Sequence, residues 1–335
     1  MTSQSSNYPI LCASFNQDLS GFAISTRDGF KIFDPNSGRV CYERAVGAFN
    51  IVEMLYSSSL LAIVGAGEQP SLSPRRLCLF NITTGTALRE LNFLTSLLAV
   101  RLNRKRLVVV LQEKTYIYDS NSLAILDTID TVPNIKGLCG FSPNLDGCFL
   151  ALPASTTKGS VLLYNVMELQ SHCEIDAHRA PLAAVTLSSN GMYIATASEQ
   201  GTIVRVHLVL EATKSYSFRR GTYPSTIYSL SFAPSAQLPD ILVAASSSAH
   251  HHVLHNAAPA GMKSYVVARK VDKVADTSSN EFIACRATLS VITFNGYFQE
   301  YIVNINNQNE SKWSLEREFN LLTVLSGEEQ QFQLV

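Results

Sequence analysis

A short phrase returns along the chain: an aliphatic residue, an aromatic one, Asp or Asn, then a turn. It reads Ile32-Phe33-Asp34, Leu79-Phe80-Asn81, Ile117-Tyr118-Asp119 and Leu163-Tyr164-Asn165, with Val206-His207 in the same place once more. The steps between the aromatic positions are 47, 38, 46 and 43 residues. An interval of about 40–45 residues is the period of a four-stranded propeller blade. Each phrase is therefore expected to end a strand on the way from the inner to the outer edge of its blade.

The surrounding residues fit that plan. Asn36-Ser37-Gly38, Thr83-Thr84-Gly85 and Ser120-Asn121 follow the phrase with residues that tolerate φ > 0 or close Asx-type turns. Upstream, Ala13-Ser14-Phe15-Asn16, Gly140-Phe141-Ser142-Pro143 and Ser231-Phe232-Ala233-Pro234 read as first strands ending in a turn. Small-residue second strands are expected at Gly21–Ser25, Leu60–Ala66, Leu107–Leu111, Phe149–Leu152, Tyr193–Ala197 and Ile241–Ala245. No long segment carries apolar residues at helical spacing. The 335 residues divided by about 45 per blade give seven blades. The expectation is an all-β, seven-bladed β-propeller of the WD-repeat type in one domain over 1–335, with blades over 7–325 and a polar, frayed tail over 326–335. A pair of β-sandwiches would also show many short strands, and the period decides against it. Trp313 is the single Trp and no Trp-Asp dipeptide occurs, so spacing carries the inference.

Composition narrows the function. Lys+Arg 26 against Asp+Glu 27 leaves a formal charge of -1, so no global basic field exists to hold a nucleic-acid backbone, and any anion site must be local. Hydrophobic residues are 46% and charged residues 16%, apolar for a soluble chain, yet no apolar run approaches the roughly 20 residues of a spanning helix. The N-terminal Met1–Asn7 segment has neither a basic nor an apolar signal region, which predicts a cytoplasmic protein. Seven cysteines without a C-x-x-C read as reduced, mostly buried thiols rather than disulfides or a zinc site.

Catalytic signatures are missing: the sequence has no G-x-S-x-G, H-E-x-x-H, EF-hand loop or P-loop. Gly65-Ala66-Gly67 reads as a tight bend or a close-packed blade centre rather than a phosphate loop, and in Asp176-Ala177-His178 the His reads as a turn-stabilising residue next to a strand rather than part of a triad. No enzyme, cofactor or metal is expected, and a propeller hydrolase ranks third among the readings. His250, His251, His252 and His255 form the densest cluster of ligand-type residues, but consecutive His on an Ala/Ser-rich loop seldom converge on a metal. Arg104-Lys105-Arg106 and Pro74-Arg75-Arg76 read as solvated hairpin tips. In Tyr216-Ser217-Phe218-Arg219-Arg220-Gly221-Thr222 two adjacent arginines on an extended segment point to opposite sides, so they serve two neighbouring pockets rather than one clamp. Each guanidinium offers a planar donor fork matched to a phosphate.

Phe218-Arg219-Arg220-Gly221, with Ala177-His178 and Pro181-Leu182-Ala183 before it and Ile227-Tyr228-Ser229-Leu230 after it, resembles the PROPPIN family over nearly the whole chain, and most its autophagy-related protein 18 branch. The resemblance implies a non-enzymatic adaptor that binds phosphatidylinositol 3-phosphate and 3,5-bisphosphate at two sites flanking the motif. It implies a peripheral role in autophagosome formation and in vacuolar and endosomal traffic, on preautophagosomal, endosomal and vacuolar membranes. Site one would use Arg219 with His178, Ser198, Thr202 and Arg205; site two would use Arg220 with Ser246 and Ser247. Pro74 and Arg75 would belong to a second-blade loop that engages a lipid-transfer partner, and the protein is expected to be monomeric and to bind no nucleic acid.

One departure from the family pattern bears on site two. After the serines, Ser248–Asn256 runs almost directly into Lys263-Ser264-Tyr265-Val266-Val267, which resembles a blade's last strand. The third strand of the sixth blade and the apolar hairpin that follows it in the family are expected to be missing or much reduced, which would leave Arg220 without its pocket floor and expose a strand edge. The alternative reading is a protein-only propeller scaffold that has lost effective membrane binding.

Overall fold

The computed structural model describes residues 8–234, 241–247, 261–275, 283–306 and 311–323, and every regular element among them is a β-strand. The strands fall into two compact units.

The first unit comprises residues up to Gly137, with Phe294–Gly296 and the chain from Asn320 onward. It holds three antiparallel four-stranded sheets: β1–β4 (Cys12–Phe15, Phe22–Ser25, Phe30–Phe33, Val40–Arg44), β5–β8 (Phe49–Met54, Leu60–Gly65, Arg76–Asn81, Thr86–Asn92) and β9–β12 (Ala99–Leu102, Arg106–Val110, Lys114–Asp119, Ile125–Asp130). The second unit, Leu138–Thr293 with Tyr297–Phe319, holds β13–β16 (Gly140–Phe141, Phe149–Pro153, Gly159–Asn165, Gln170–His178), β17–β20 (Leu182–Leu187, Tyr193–Ser198, Ile203–Leu208, Ser215–Arg219), the pair β21–β22 (Ile227–Phe232, Leu242–Ser246) and β23–β26 (Ser264–Ala275, Ile283–Thr293, Tyr297–Ile305, Ser311–Asn320). Each sheet is an up-and-down meander of sequence neighbours.

The expected second strands coincide with β2, β6, β10, β14, β18 and β22, and the repeated phrase ends the third strand of each of the first five sheets. Its Asp or Asn closes the turn by accepting from the backbone. Asp34 takes Asn36 N at 2.8 Å, Asn81 takes Thr83 N at 2.8 Å, Asp119 takes Ser122 N at 2.8 Å and Asn165 takes Met167 N at 3.0 Å. Four residues after each of these, the chain enters the left-handed region at Gly38, Gly85, Leu123 and Leu169. The turn chemistry thus repeats more faithfully than the residue that adopts φ > 0.

Because strand side chains alternate, neighbouring sheets within each unit turn apolar faces toward one another. Phe30, Ile32, Phe49 and Leu61 are buried between the first two sheets; Leu77, Val100 and Val109 between the next two. In the second unit, Val161, Ile175, Leu182 and Ile194 fill the space between β13–β16 and β17–β20, and Ala195, Val204, Ile227 and Leu230 that between β17–β20 and β21–β22. Full burial of one such aliphatic or aromatic side chain stabilises by about 1.5–3 kcal/mol. The core is therefore a series of inter-sheet slabs, and the strand edges are left to the turns and to function.

Two expectations concern the sixth sheet. Among the described residues it has two strands, β21 and β22. The segment after it is reassigned, however: Ser264–Ala275 is not a last strand of the sixth sheet but the first strand of the final one, paired with β24 from Ser264↔Thr293 to Ala275↔Ile283. Val266 and Ala268 on it pack with Leu289 and Val291, so a long hairpin pairing with its own core outcompetes return to β22. The histidines at 250, 251, 252 and 255 and the tail 326–335 lie outside the described residues.

Candidate functional site

The fifth sheet, β17–β20, positions the two arginines of the motif. In its register Thr196 faces Arg205, Ile203 faces Arg219, Arg205 faces Ser217 and His207 faces Ser215. Directly opposed residues share a face. Thr196, Ser198, Arg205, His207, Ser215, Ser217 and Arg219 therefore all lie on the side of the sheet that packs toward β16. Val204 and Phe218, one step along, lie on the side toward β21. The sequence argument that adjacent arginines diverge holds here, because Arg219 ends β20 on one face and Arg220 leaves it in the turn.

On the β16 side, His178 and Arg205 meet directly. Arg205 Nη1 lies 3.2 Å from His178 Nδ1 and donates to the Ala177 carbonyl at 2.5 Å. A guanidinium can only donate, so Nδ1 accepts and Nε2 carries the proton to Thr196 Oγ1 at 2.9 Å. Burial first and then Arg205 push the His178 pKa down to about 4, so the ring is neutral at pH 7. Ser198 is buried at the end of β18 and exposed Arg219 lies on the same face, whereas Thr202 is joined through its backbone: its carbonyl accepts Arg220 N at 2.8 Å. Beside the pair opens a cavity of about 410 Å³ lined by Lys158, Asp176, Arg179, His207 and Ser215 as well as His178 and Arg205. Its single carboxylate, Asp176, accepts from the Ser160 hydroxyl. Among the described residues no carboxylate pairs with Arg205, Arg219, Arg179 or Lys158. This face is a cluster of cations and hydroxyls open to an anion.

The sign of the His178 shift gives a test. An unfolded His binds its proton near pH 6.5, ahead of the folded one, so the stability it contributes is complete above that pH and is lost as pH falls toward 4. At pH 5 the expected loss is about 2 kcal/mol, read as a drop in the urea midpoint between pH 7 and pH 5. His178→Gln should flatten that dependence, leaving a smaller slope from His207, which burial also pushes down. An unchanged slope in the variant would assign the acid sensitivity elsewhere.

On the other side, Arg220 is engaged within the protein. Its Nε donates to the Gly201 carbonyl at 2.6 Å and its Nη2 to the Tyr223 carbonyl at 2.6 Å, and burial lowers its pKa. Ser247 lies 3.0 Å from Ser225, hydroxyl to hydroxyl, and accepts Thr226 N at 3.0 Å; Ser246 ends β22 opposite Ile227. Pro74 and Arg75 close the loop before β7. The Pro74 carbonyl accepts Leu97 N and the Arg75 carbonyl accepts Phe93 N, both at 2.9 Å, and the Arg75 side chain is exposed. Gly65 ends β6, where a Cβ would lie 2.1 Å from the Leu72 carbonyl oxygen, and Gly67, at φ 86°, donates to that carbonyl to close the loop between them. From sequence, His207 stands out only as the fifth occurrence of the repeated phrase, where the other sheets have Phe or Tyr, and Lys158, Arg179 and Ser215 are not singled out.

Among the described residues no helix is long and apolar enough to cross a membrane, and no three His, Cys, Asp or Glu residues are grouped to hold a metal. The PROPPIN family model matches residues 9–259. Autophagy-related protein 18b of Arabidopsis thaliana is 67% identical over 357 residues, covering 95% of this chain and 98% of that protein. Autophagy-related protein 18 of Aspergillus oryzae is 41% identical over 259 residues, covering 71% of this chain and 60% of that protein. Among solved structures, the complex of KlAtg21 with the coiled-coil of AgAtg16 superposes with TM-score 0.72 at 21% identity, covering 92% of this chain and 98% of that chain. The four-stranded antiparallel sheets are thus the blades of a β-propeller. The chain belongs to the PROPPIN family, and its matches are to autophagy-related proteins rather than to a catalytic family.

Proposed function

We propose that this chain is a phosphoinositide-binding peripheral adaptor, a seven-bladed propeller in one domain that reads phosphatidylinositol 3-phosphate and 3,5-bisphosphate in autophagosome formation and in vacuolar and endosomal traffic. The observation that carries this reading is the face of the fifth sheet on which Arg219, Arg205 and Ser198 stand beside His178, the two arginines forming no ion pair with a carboxylate among the described residues. A phosphate monoester supplies that charge through charge-assisted hydrogen bonds, without covalent chemistry. On a protein of net charge -1 such a site acts locally, and membrane affinity rises when a second contact engages the same surface. The exposed Arg75 beside Pro74 offers a protein partner a contact distant in sequence from the headgroup site; a lipid-transfer protein is the partner the family resemblance suggests. That an Atg21 relative is solved with an Atg16 coiled-coil supports a protein partner of some kind.

The rival reading is a protein-only scaffold. It is favoured by Arg220 being held on the Gly201 and Tyr223 carbonyls and by the two-stranded sixth sheet among the described residues. Sedimentation with vesicles that contain or lack phosphatidylinositol 3-phosphate separates the two. Selective binding by the native chain that falls at least tenfold with Arg219→Ala, at unchanged thermal midpoint, is the expected result. A folded native chain that sediments equally with both vesicles would make the protein a scaffold.

A further inference from the structure

The chain contains two Ser-Pro dipeptides, Ser73-Pro74 and Ser142-Pro143, and no Thr-Pro. The fold treats them oppositely. Ser142 is fully buried, and its hydroxyl donates to the Ser189 carbonyl at 3.0 Å. Ser73 lies half-buried in the 66–75 loop between β6 and β7, preceded by the exposed run 67–71 and followed, after Pro74, by exposed Arg75. Ser73-Pro74-Arg75-Arg76 forms a turn: the Arg76 N–H donates to the Ser73 carbonyl at 3.3 Å and the Arg75 N–H to the Ser73 hydroxyl oxygen at 3.2 Å. Both bonds are long for N–H···O, so the turn opens at little cost.

A serine followed by Pro, with a cation three residues on, is the pattern that proline-directed kinases select. Pro has no N–H to satisfy in the kinase cleft, where another residue would leave a buried donor unpaired, and the cation adds a charge contact. Arg76 supplies that cation, whereas Ser142 has Leu145 at the same place. The Arg76 guanidinium bonds Glu90 Oε2 at 3.3 Å and the Ser71 carbonyl. The side chains of that ion pair are 30% and 44% exposed, so it is exchanged for a kinase carboxylate without large loss.

We infer that Ser73 is the phosphorylation site of a proline-directed kinase, and that the phosphate, once attached, draws the Arg75 guanidinium onto itself and takes its charge off the surface. The Ser73 oxygen bonds the γ-phosphorus of ATP as the bond from that phosphorus to the β,γ-bridging oxygen breaks; ADP leaves, and the hydroxyl proton passes to the kinase's base. The receiving donors are already in place. The Arg75 N–H reaches the oxygen that will carry the phosphate, and the Arg75 guanidinium makes no ion pair among the described residues. The Pro74 and Arg75 carbonyls are bonded to Leu97 N and Phe93 N, which keeps the turn beside Ser73. A phosphoserine carries about −1.5 to −2 charges at pH 7, so the turn passes from a free cation to a net anion. The consequence rests on the partner reading proposed above: a partner that meets Arg75 through a carboxylate is released, while the headgroup face of the fifth sheet is untouched.

Incubation of the full chain with a cyclin-dependent kinase, Mg²⁺ and ATP tests the site, with the phosphate located by peptide mass spectrometry. More than half of the native molecules should carry phosphate at Ser73 and almost none at Ser142, and Pro74→Ala should slow incorporation at least tenfold at unchanged thermal midpoint. The phosphorus resonance of the product is then titrated. Its second ionisation should lie about half a unit below the ordinary value near pH 6, and Arg75→Gln should restore that value. Sedimentation with phosphatidylinositol 3-phosphate vesicles should change less than twofold on phosphorylation. A folded native chain without phosphate at Ser73, or one modified equally at Ser142, overturns the site. A second ionisation unmoved by Arg75→Gln overturns the closure onto Arg75, and vesicle binding altered more than twofold overturns the confinement of the switch to the second sheet. A native chain that binds no vesicles defeats the headgroup reading alone, since occupancy and the phosphorus titration decide Ser73 without lipid or partner.

Discussion

Gly201→Ala is expected to remove on the order of 4–5 kcal/mol of stability, in the range reserved for substitutions that force a backbone apart. Gly201 sits in the β18–β19 turn at φ 60°, and a Cβ built on it would lie 1.7 Å from the carbonyl oxygen of Ser225. Neither group is the free end of a side chain. The Gly201 N–H is bound to the Ser198 carbonyl at 2.8 Å, Ser225 N to the Gln200 carbonyl at 3.1 Å, and Arg220 holds the Gly201 carbonyl from above. To admit the methyl group, the 220–226 connection has to lift away, and Arg220 and the end of β20 move with it. Gly85→Ala is the internal control. Gly85 also has positive φ, 67°, and a Cβ there meets nothing within 4 Å. It should lose only the left-handed penalty, about 1–2 kcal/mol. The difference between the two urea midpoints therefore isolates the steric contact, and equal losses at both positions would show that the turn yields without disturbing the arginines. Headgroup binding measured on the surviving folded fraction should fall for Gly201→Ala and stay unchanged for Gly85→Ala.

The sequence makes the blades legible because one chemical device repeats. Asp34, Asn81, Asp119 and Asn165 close the same turn with the same backbone donors, so their spacing is the spacing of the sheets. Period alone does not say where a sheet ends. Lys263–Val267 reads locally as an aliphatic outer strand, and its partner is decided 23 to 29 residues away, at Ser290–Thr293. The site divides in the same manner. Strand alternation is a local rule, and from it the divergence of Arg219 and Arg220 follows without a structure. The engagement of Arg220 does not follow, because its acceptors are backbone carbonyls of Gly201 and Tyr223, which any residue types would present. His207 lies between these cases. Its departure from the aromatic residues at 33, 80, 118 and 164 is visible in the chain, but that its Nδ1 is unpaired among the described residues and that the residue lines a cavity are tertiary facts.

Arg220→Ala should act on stability where Arg219→Ala acts on binding. Charge-assisted hydrogen bonds from Arg220 to the Gly201 and Tyr223 carbonyls, both at 2.6 Å, tie the β18–β19 turn to the loop after β20. A hydrogen bond to a charged group contributes about 1.5–3 kcal/mol. The Gly201 carbonyl is buried and loses its donor outright, while Tyr223 is 70% exposed and its neighbourhood is open to water. A net loss of about 2–3 kcal/mol is therefore expected, with headgroup affinity at 20 °C lowered only a few-fold through the slackened turn. Arg220→Lys should recover less than half of that stability, since an ammonium on a flexible stem cannot hold two carbonyls in one planar fork. Arg219, exposed at the end of β20, makes no ion pair among the described residues, so its loss should shift the urea midpoint by no more than about 0.5 kcal/mol while headgroup binding drops at least tenfold. The opposite pattern, with Arg220→Ala fully stable and unable to bind vesicles, would mean that its guanidinium leaves the carbonyls for the lipid. The second site would then be functional although the sixth sheet has two strands among the described residues. The adjacent arginines thus give a direct reading of how many headgroups the fifth blade holds: stability loss on one side and binding loss on the other for one, binding loss on both for two.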